Sequence, residues 1–157
     1  MPPRLIYDIS TIDLSKDIFD QEAIRQANPQ RGAMEQLNGI LHVDPDLHRI
    51  IGYKNVGADE FWVEGHIPGR PLLPGVLMIE AAAQLASFYT RKFIGWKEFI
   101  GFGGVDDTKF RMQVPPGVRM LLVGHQLWHR HRRIQCHVQG VVDGAIAFDT
   151  LITGTKM

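Results

Sequence analysis

The chain has 157 residues, with 17 Lys and Arg against 17 Asp and Glu and a formal net charge of zero. That length fits one domain able to bury a sizeable core, and the balanced charge argues against a nucleic-acid binder. The single cysteine, Cys136, has no partner for an internal disulfide, which suits a reducing cytoplasm; the N-terminus holds no long apolar run, so no signal peptide is expected.

Residues 15–27 are predicted to form a short amphipathic helix with Ile18, Ala23 or Ile24, and Ala27 inward, ended by Pro29. Residues 1–27 then read as an N-terminal extension of a single domain spanning 1–157. Residues 37–43 and 49–56 read as a hairpin around Asp44-Pro45-Asp46. A Gly/Pro-rich loop leads into a helix that runs to about Lys92. Residues 99–110, 119–129, 134–142 and 145–153 are strand-like. Their turns fall at Pro115-Pro116-Gly117, at the basic Arg130-His131-Arg132-Arg133, and at Asp143-Gly144. Asp-Gly between two apolar runs is a strong hairpin signal. One long helix among antiparallel strands gives an α+β fold, a sheet wrapped around a helix.

That helix carries the chemistry. Pro71 and Pro74 exclude an earlier start, and Gly75 opens the run. From 76 to 89 the only polar residues are Glu80, Gln84 and Ser87. Their i, i+4, i+7 spacing puts them in one narrow stripe. The helix is otherwise apolar all round, so it belongs in a core, and it is too short and too interrupted to span a membrane. A carboxylate in such a helix is costly and needs an explanation. His66, in the rigid loop Gly65-His66-Ile67-Pro68-Gly69-Arg70-Pro71, supplies one. The amides of Gly75 and Val76 lie at the helix start, without intrahelical acceptors and at the positive end of the dipole. One short segment thus brings together a base, an acid and an oxyanion-type donor.

Other clusters read more plainly. His125, His129 and His131 share alternation parity, but no Cys or carboxylate spacing completes a metal site, so none is expected. Arg130 to Arg133 reads as a solvated turn, with a docking patch for an acidic carrier as the alternative. Phe102-Gly103-Gly104 lacks the spacing and the following helix of a phosphate loop.

The stretch from Gly65 to Gln84, G-H-x-P-G-x-P-x-x-P-G-V-L-x-x-E-A-x-A-Q, resembles the signature of the bacterial β-hydroxyacyl-acyl-carrier-protein dehydratases, which have the hotdog fold. Ile67 stands where that pattern usually has Phe. The resemblance extends upstream through Tyr53-Lys54-Asn55-Val56 and Phe61-Trp62-Val63-Glu64. Downstream it runs through Phe102-Gly103-Gly104-Val105-Asp106, Lys109-Phe110 and Pro116-Gly117, covering residues 28–155 in all. It implies that His66 and Glu80 are catalytic, that the Gly75 amide binds the thioester carbonyl with Val76 beside it, and that Gln84 orients the carboxylate. It further implies that Ile67, Pro74, Gly101 and Phe102 line the acyl tunnel. The implied substrate is a pantetheine-linked β-hydroxyacyl group on acyl carrier protein. The implied assembly is a homodimer whose sites combine histidine and carboxylate from different subunits, with a trimer of dimers as the larger assembly the resemblance allows. No cofactor is implied. Glu rather than Asp at position 80 points to the class that does not isomerise the double bond.

Two departures stand out. The early pattern P-H-R-x-P-F-L-L-x-D is replaced by Pro29-Gln30-Arg31-Gly32-Ala33-Met34-Glu35-Gln36-Leu37-Asn38, and Gly101 replaces a tunnel-gating Tyr. The expected reaction is removal of water from the thioester. His66 takes the α-proton, the Gly75 amide holds the carbonyl charge and Glu80 protonates the departing hydroxyl. Apolar surroundings favour the neutral forms of both side chains, which the reaction needs. A variant in which His66 alone moves the proton and Glu80 orients water stays open. So do a hotdog thioesterase and a non-catalytic carrier-binding paralogue.

Overall fold

Six antiparallel strands and one long helix account for most of the computed structural model, which describes residues 3–157. Met1 and Pro2, at the start of the segment expected to hold no signal peptide, lie outside the described residues. The helices are α1, Gln21–Ala27, and α2, Gly75–Tyr89. The strands are β1 Gly39–Asp44, β2 Arg49–Asn55, β3 Ile100–Phe110, β4 Arg119–Arg130, β5 Arg133–Val142 and β6 Ala145–Lys156. They form one sheet in the order β1-β2-β4-β5-β6-β3, wholly antiparallel. The sheet wraps α2, whose Leu77, Met78, Ala81, Ala82, Leu85 and Phe88 are buried against inward residues of the strands. This is the hotdog architecture.

The Asp143-Gly144 turn joins β5 and β6 with both residues at positive φ, 49° and 79°, as a type I′ hairpin requires. Among the described residues no helix is long and apolar enough to cross a membrane.

Three expectations change. The first helix is shorter than 15–27 and begins only at Gln21, because the Asp20 side chain caps it by accepting from the Ala23 amide. The Ile18 and Phe19 amides instead bond the Ile40 carbonyl, extending the sheet edge, and Ile18 faces outward with 51 % exposure. Ile24 is buried as expected. The long helix is α-helical only to Tyr89. A π-turn, Thr90–Ile94, completes it, stopped by Gly95 at φ 87°. Finally, a bulge between Gln126 and Trp128 breaks the parity assumed for the histidines. His125 pairs with His137 while His129 pairs with the buried Ile134, which puts them on opposite faces.

The N-terminal segment was not expected to pack as it does. Leu5, Ile6, Tyr7, Ile9, Ile12 and Leu14 lie over Ile51, Val123 and Val141 on the sheet face away from α2. Gln139 anchors this strap, accepting from the Ile6 amide at 2.9 Å and donating to the Arg4 carbonyl at 2.8 Å.

Candidate active site

The loop before α2 is braced from both ends. Lys54, 2 % exposed, pairs with Glu60 at 2.7 Å, and the Trp62 indole donates to the same carboxylate. Glu60 also accepts from the Gly57 amide. A buried charge pair is tolerated when its remaining groups are hydrogen-bonded like this. Further on, the Leu73 amide bonds the Val114 carbonyl, and Gly69 turns the chain at φ 79°. Between these anchors His66 places Nδ1 3.0 Å from the Leu72 carbonyl oxygen. A carbonyl only accepts, so Nδ1 carries the hydrogen, and in the neutral ring the lone pair falls on Nε2. His66 is exposed in the single chain, not enclosed in apolar surroundings as expected.

Pro74 precedes α2 without a side-chain cap. The Leu77 and Met78 amides bond back to its carbonyl, while those of Gly75 and Val76 find no acceptor among the described residues. The Phe110 ring rests on Gly75. A Cβ there would lie 2.9 Å from two ring carbons, so any larger residue pushes the half-exposed Phe110 ring off the start of α2. Val76 projects outward, 73 % exposed.

One turn on, Glu80 is half-buried, and Gln84 donates from Nε2 to its Oε1 at 3.0 Å. The same Nε2 reaches the Met34 carbonyl at 2.7 Å, and Gln84 Oε1 accepts from the Gln36 amide at 2.9 Å. Gln84 therefore fixes one carboxylate oxygen and also ties down the segment that departs from the family pattern. That segment is held elsewhere too. The Arg25 guanidinium grips Glu35 with two bonds of 2.8 and 3.0 Å and holds its carboxyl below the usual range. Asn28 donates to the Gln84 backbone carbonyl at 3.0 Å.

Glu80 opens into a cavity of about 140 Å³ lined also by Gln30, Ala83, Ser87, Gly101 and Phe102. Of the polar stripe read from α2, Glu80 and Ser87 line this cavity, while Gln84 is buried behind it with 2 % exposure. Gly101 contributes backbone; a Cβ there would meet the Met157 sulfur at 2.8 Å. His66, Ile67 and Pro74 do not line this cavity, and no hydrogen bond joins His66 to Glu80. The expected site residues therefore fall into two groups, the His66 loop with the α2 start and the Glu80 cavity. One chain does not bring them together. Gln30 was not expected on the cavity. Its signal was present as the position where the P-H-R pattern has its histidine.

Known proteins share this sequence pattern and this fold. A family model described as a FabA-like domain matches residues 28–150. The 3-hydroxyacyl-(acyl-carrier-protein) dehydratase FabZ of Desulfotalea psychrophila is 35% identical over 121 residues, 75% of this chain and 80% of that protein. The enzyme of the same name from Streptococcus gordonii is 31% identical over 137 residues, 87% and 96% of the two chains. Among solved structures, the dehydratase heterocomplex ApeI:P of Xenorhabdus doucetiae has a TM-score of 0.71 at 12% identity, covering 85% of this chain and 90% of that one. A putative thioesterase from Silicibacter has a TM-score of 0.63 at 13% identity, covering 92% and 96%. These two structures speak to the fold alone.

Proposed function

The chain belongs to the FabA-like family of hotdog dehydratases, and from that membership we propose that it removes water from 3-hydroxyacyl thioesters of acyl carrier protein in fatty acid biosynthesis. The product is the trans-2-enoyl thioester. The observation that carries this reading is the fixed tautomer of His66, whose Nδ1 is engaged by the Leu72 carbonyl and whose Nε2 is left as a base.

The steps follow from the side chains. His66 Nε2 takes the α-proton, and the electron pair of that C–H bond moves into the new C=C bond. Negative charge builds on the thioester oxygen meanwhile. The Gly75 amide, free at the start of α2, holds it and contributes on the order of 3 kcal/mol. Glu80 gives its proton to the β-hydroxyl as the C–O bond breaks, and water leaves. Gln84 occupies Oε1 as a donor, so the proton transferred sits on Oε2. Proton return from His66 to Glu80 through solvent resets the site. No cofactor or metal enters these steps.

The acid comes from Glu80 of the partner subunit in a homodimer, itself open to assembly as a trimer of dimers. Support for the dimer lies in the separation of His66 from the Glu80 cavity and in the exposed apolar side chains of Val76 at the start of α2 and of Phe102, Val105 and Phe110 along β3. Exposed apolar groups on an edge strand call for cover. Residues 1–157 act as one domain, and the buried Cys136 thiol, pushed up to about 12 by burial, suits a cytoplasmic setting. The test is product analysis on a 3-hydroxyacyl carrier thioester. A carrier that keeps its acyl group and loses the mass of water supports dehydration. Free carrier and free acid would instead make the protein a thioesterase.

A further inference from the structure

Five buried side-chain polar atoms find no hydrogen-bond partner among the described residues: Asn28 Oδ1, Gln30 Oε1, Gln36 Oε1, Arg49 Nε and Gln126 Oε1. Of these residues only Gln30 lines the Glu80 cavity. An unpaired buried acceptor carries a desolvation cost, so it is kept where something meets it. We infer that Gln30 binds the β-hydroxyl of the substrate and so distinguishes a 3-hydroxyacyl thioester from its enoyl product and from saturated acyl groups. This rests on the proposed dehydration.

The backbone around Gln30 is held firmly enough to aim a side chain. Asn28 bonds the Gln84 carbonyl of α2, and its amide bonds Ile24 at 2.8 Å. Arg31 donates to the Asn28 carbonyl at 2.8 Å, the Gln30 carbonyl at 2.7 Å and the Arg25 carbonyl at 2.9 Å. Gln30 therefore sits between the anchored Asn28 and Arg31 and contributes to the cavity lining. The leaving hydroxyl must come to Glu80 in that same cavity. A hydroxyl both donates and accepts, so it satisfies the Gln30 amide whichever end faces it. With its hydrogen given to Gln30 Oε1, the hydroxyl oxygen turns lone pairs toward the Glu80 proton. The family pattern has histidine here, another side chain able to hydrogen-bond a hydroxyl.

Binding without turnover tests this. In a His66→Ala background the full chain is titrated calorimetrically with a 3-hydroxyacyl-pantetheine thioester and with its saturated acyl counterpart. Adding Gln30→Met is expected to raise the Kd of the hydroxyacyl ligand about five- to tenfold, the worth of one hydrogen bond, and to leave that of the saturated ligand unchanged. Gln30→Ala, which removes the same oxygen with less bulk, gives the same split should the methionine variant misfold. Equal shifts for both ligands, or none, overturn the inference and leave Gln30 bonded to water only. The two readings fail separately. If the unaltered chain does not dehydrate, the proposed function falls and this inference with it. If it dehydrates and the Gln30 variants keep their preference for the hydroxyl, only the inference falls.

Discussion

The two edges of the sheet are finished differently. At one, β1 is six residues long, bulged between Ile40 and His42, and capped by a bridge from Phe19 to Ile40. Ile40 and Leu41 are buried. At the other, β3 runs for eleven residues with Phe102 53 % exposed, Val105 38 % and Phe110 50 %. The first edge is closed by the chain's own N-terminal segment, and the second is left for something else to close. The open edge also borders the candidate site, since Phe102 lines the Glu80 cavity and the Phe110 ring rests on Gly75. In the proposed dimer, the copy that covers β3 is also the copy that brings the missing half of the chemistry.

The largest effect is expected from the base. His66→Ala should lower dehydration at least about a hundredfold, the usual worth of a positioned general base. Circular dichroism and dimer mass should not change, because His66 is an exposed loop residue with no core volume to lose. Near-normal turnover in a folded variant would remove His66 from the mechanism.

The open edge itself comes next. Val105→Lys places like charges near one another wherever two β3 edges meet, which should weaken a dimer about a hundredfold or more. Light scattering should show monomer at dilute concentration, with activity tracking the dimer fraction. His42→Lys on the closed β1 edge should change neither mass nor activity. If the two substitutions behave alike, the edges do not differ in the way their exposure suggests.

Much of this contrast was legible in the sequence, and what was not has physical causes. The loop and helix from Gly65 to Gln84 announced themselves because Gly, Pro and a lone carboxylate in an apolar helix have few other uses. The strands of residues 99–153 were legible from apolar runs and from the Asp143-Gly144 turn. The closed edge was not, because Ile18 and Phe19 satisfy a helical period as well as an extended one. Tertiary bonding to Ile40 decided it. Nor was the strap over Val123 and Val141, whose apolar residues are too few and too irregularly spaced to form a strand or helix of their own. Gln30 was concealed by its type. A glutamine gives no sign in sequence that its oxygen will be buried without a partner.

A smaller but more specific effect comes from mixing dead variants. His66→Ala retains Glu80, and Glu80→Gln retains His66. If each site takes one residue from each subunit, a heterodimer carries one intact site and one doubly altered site. Random exchange during co-refolding then restores about a quarter of normal activity, with half the dimers mixed and half of their sites alive. Isolated heterodimers, carrying two tags, that remain dead would place the pair within one chain and detach the open edge from catalysis.

The smallest effect is expected on the face that neither edge serves. Tyr7 of the strap lies buried with its hydroxyl 3.0 Å from the Ile50 carbonyl and 3.1 Å from that of Gly124, bridging β2 and β4. Burial pushes its phenol far above the ordinary tyrosine range, and the Arg49 guanidinium sits 4.6 Å above its ring, opposing that shift. Tyr7→Phe keeps the ring and the stacked guanidinium and removes only the hydroxyl. The loss should be about 1–2 kcal/mol of unfolding free energy, since both carbonyls keep their place in the ladder while the buried bond disappears. Activity should stay unchanged, because α2 and its cavity lie on the other side of the sheet. Denaturant unfolding measures the first quantity and steady-state turnover the second. A Tyr7→Phe protein of normal stability but reduced turnover would mean that the strap reaches the site through the strands, and that closing the β1 side of the sheet is not separate from the chemistry at β3.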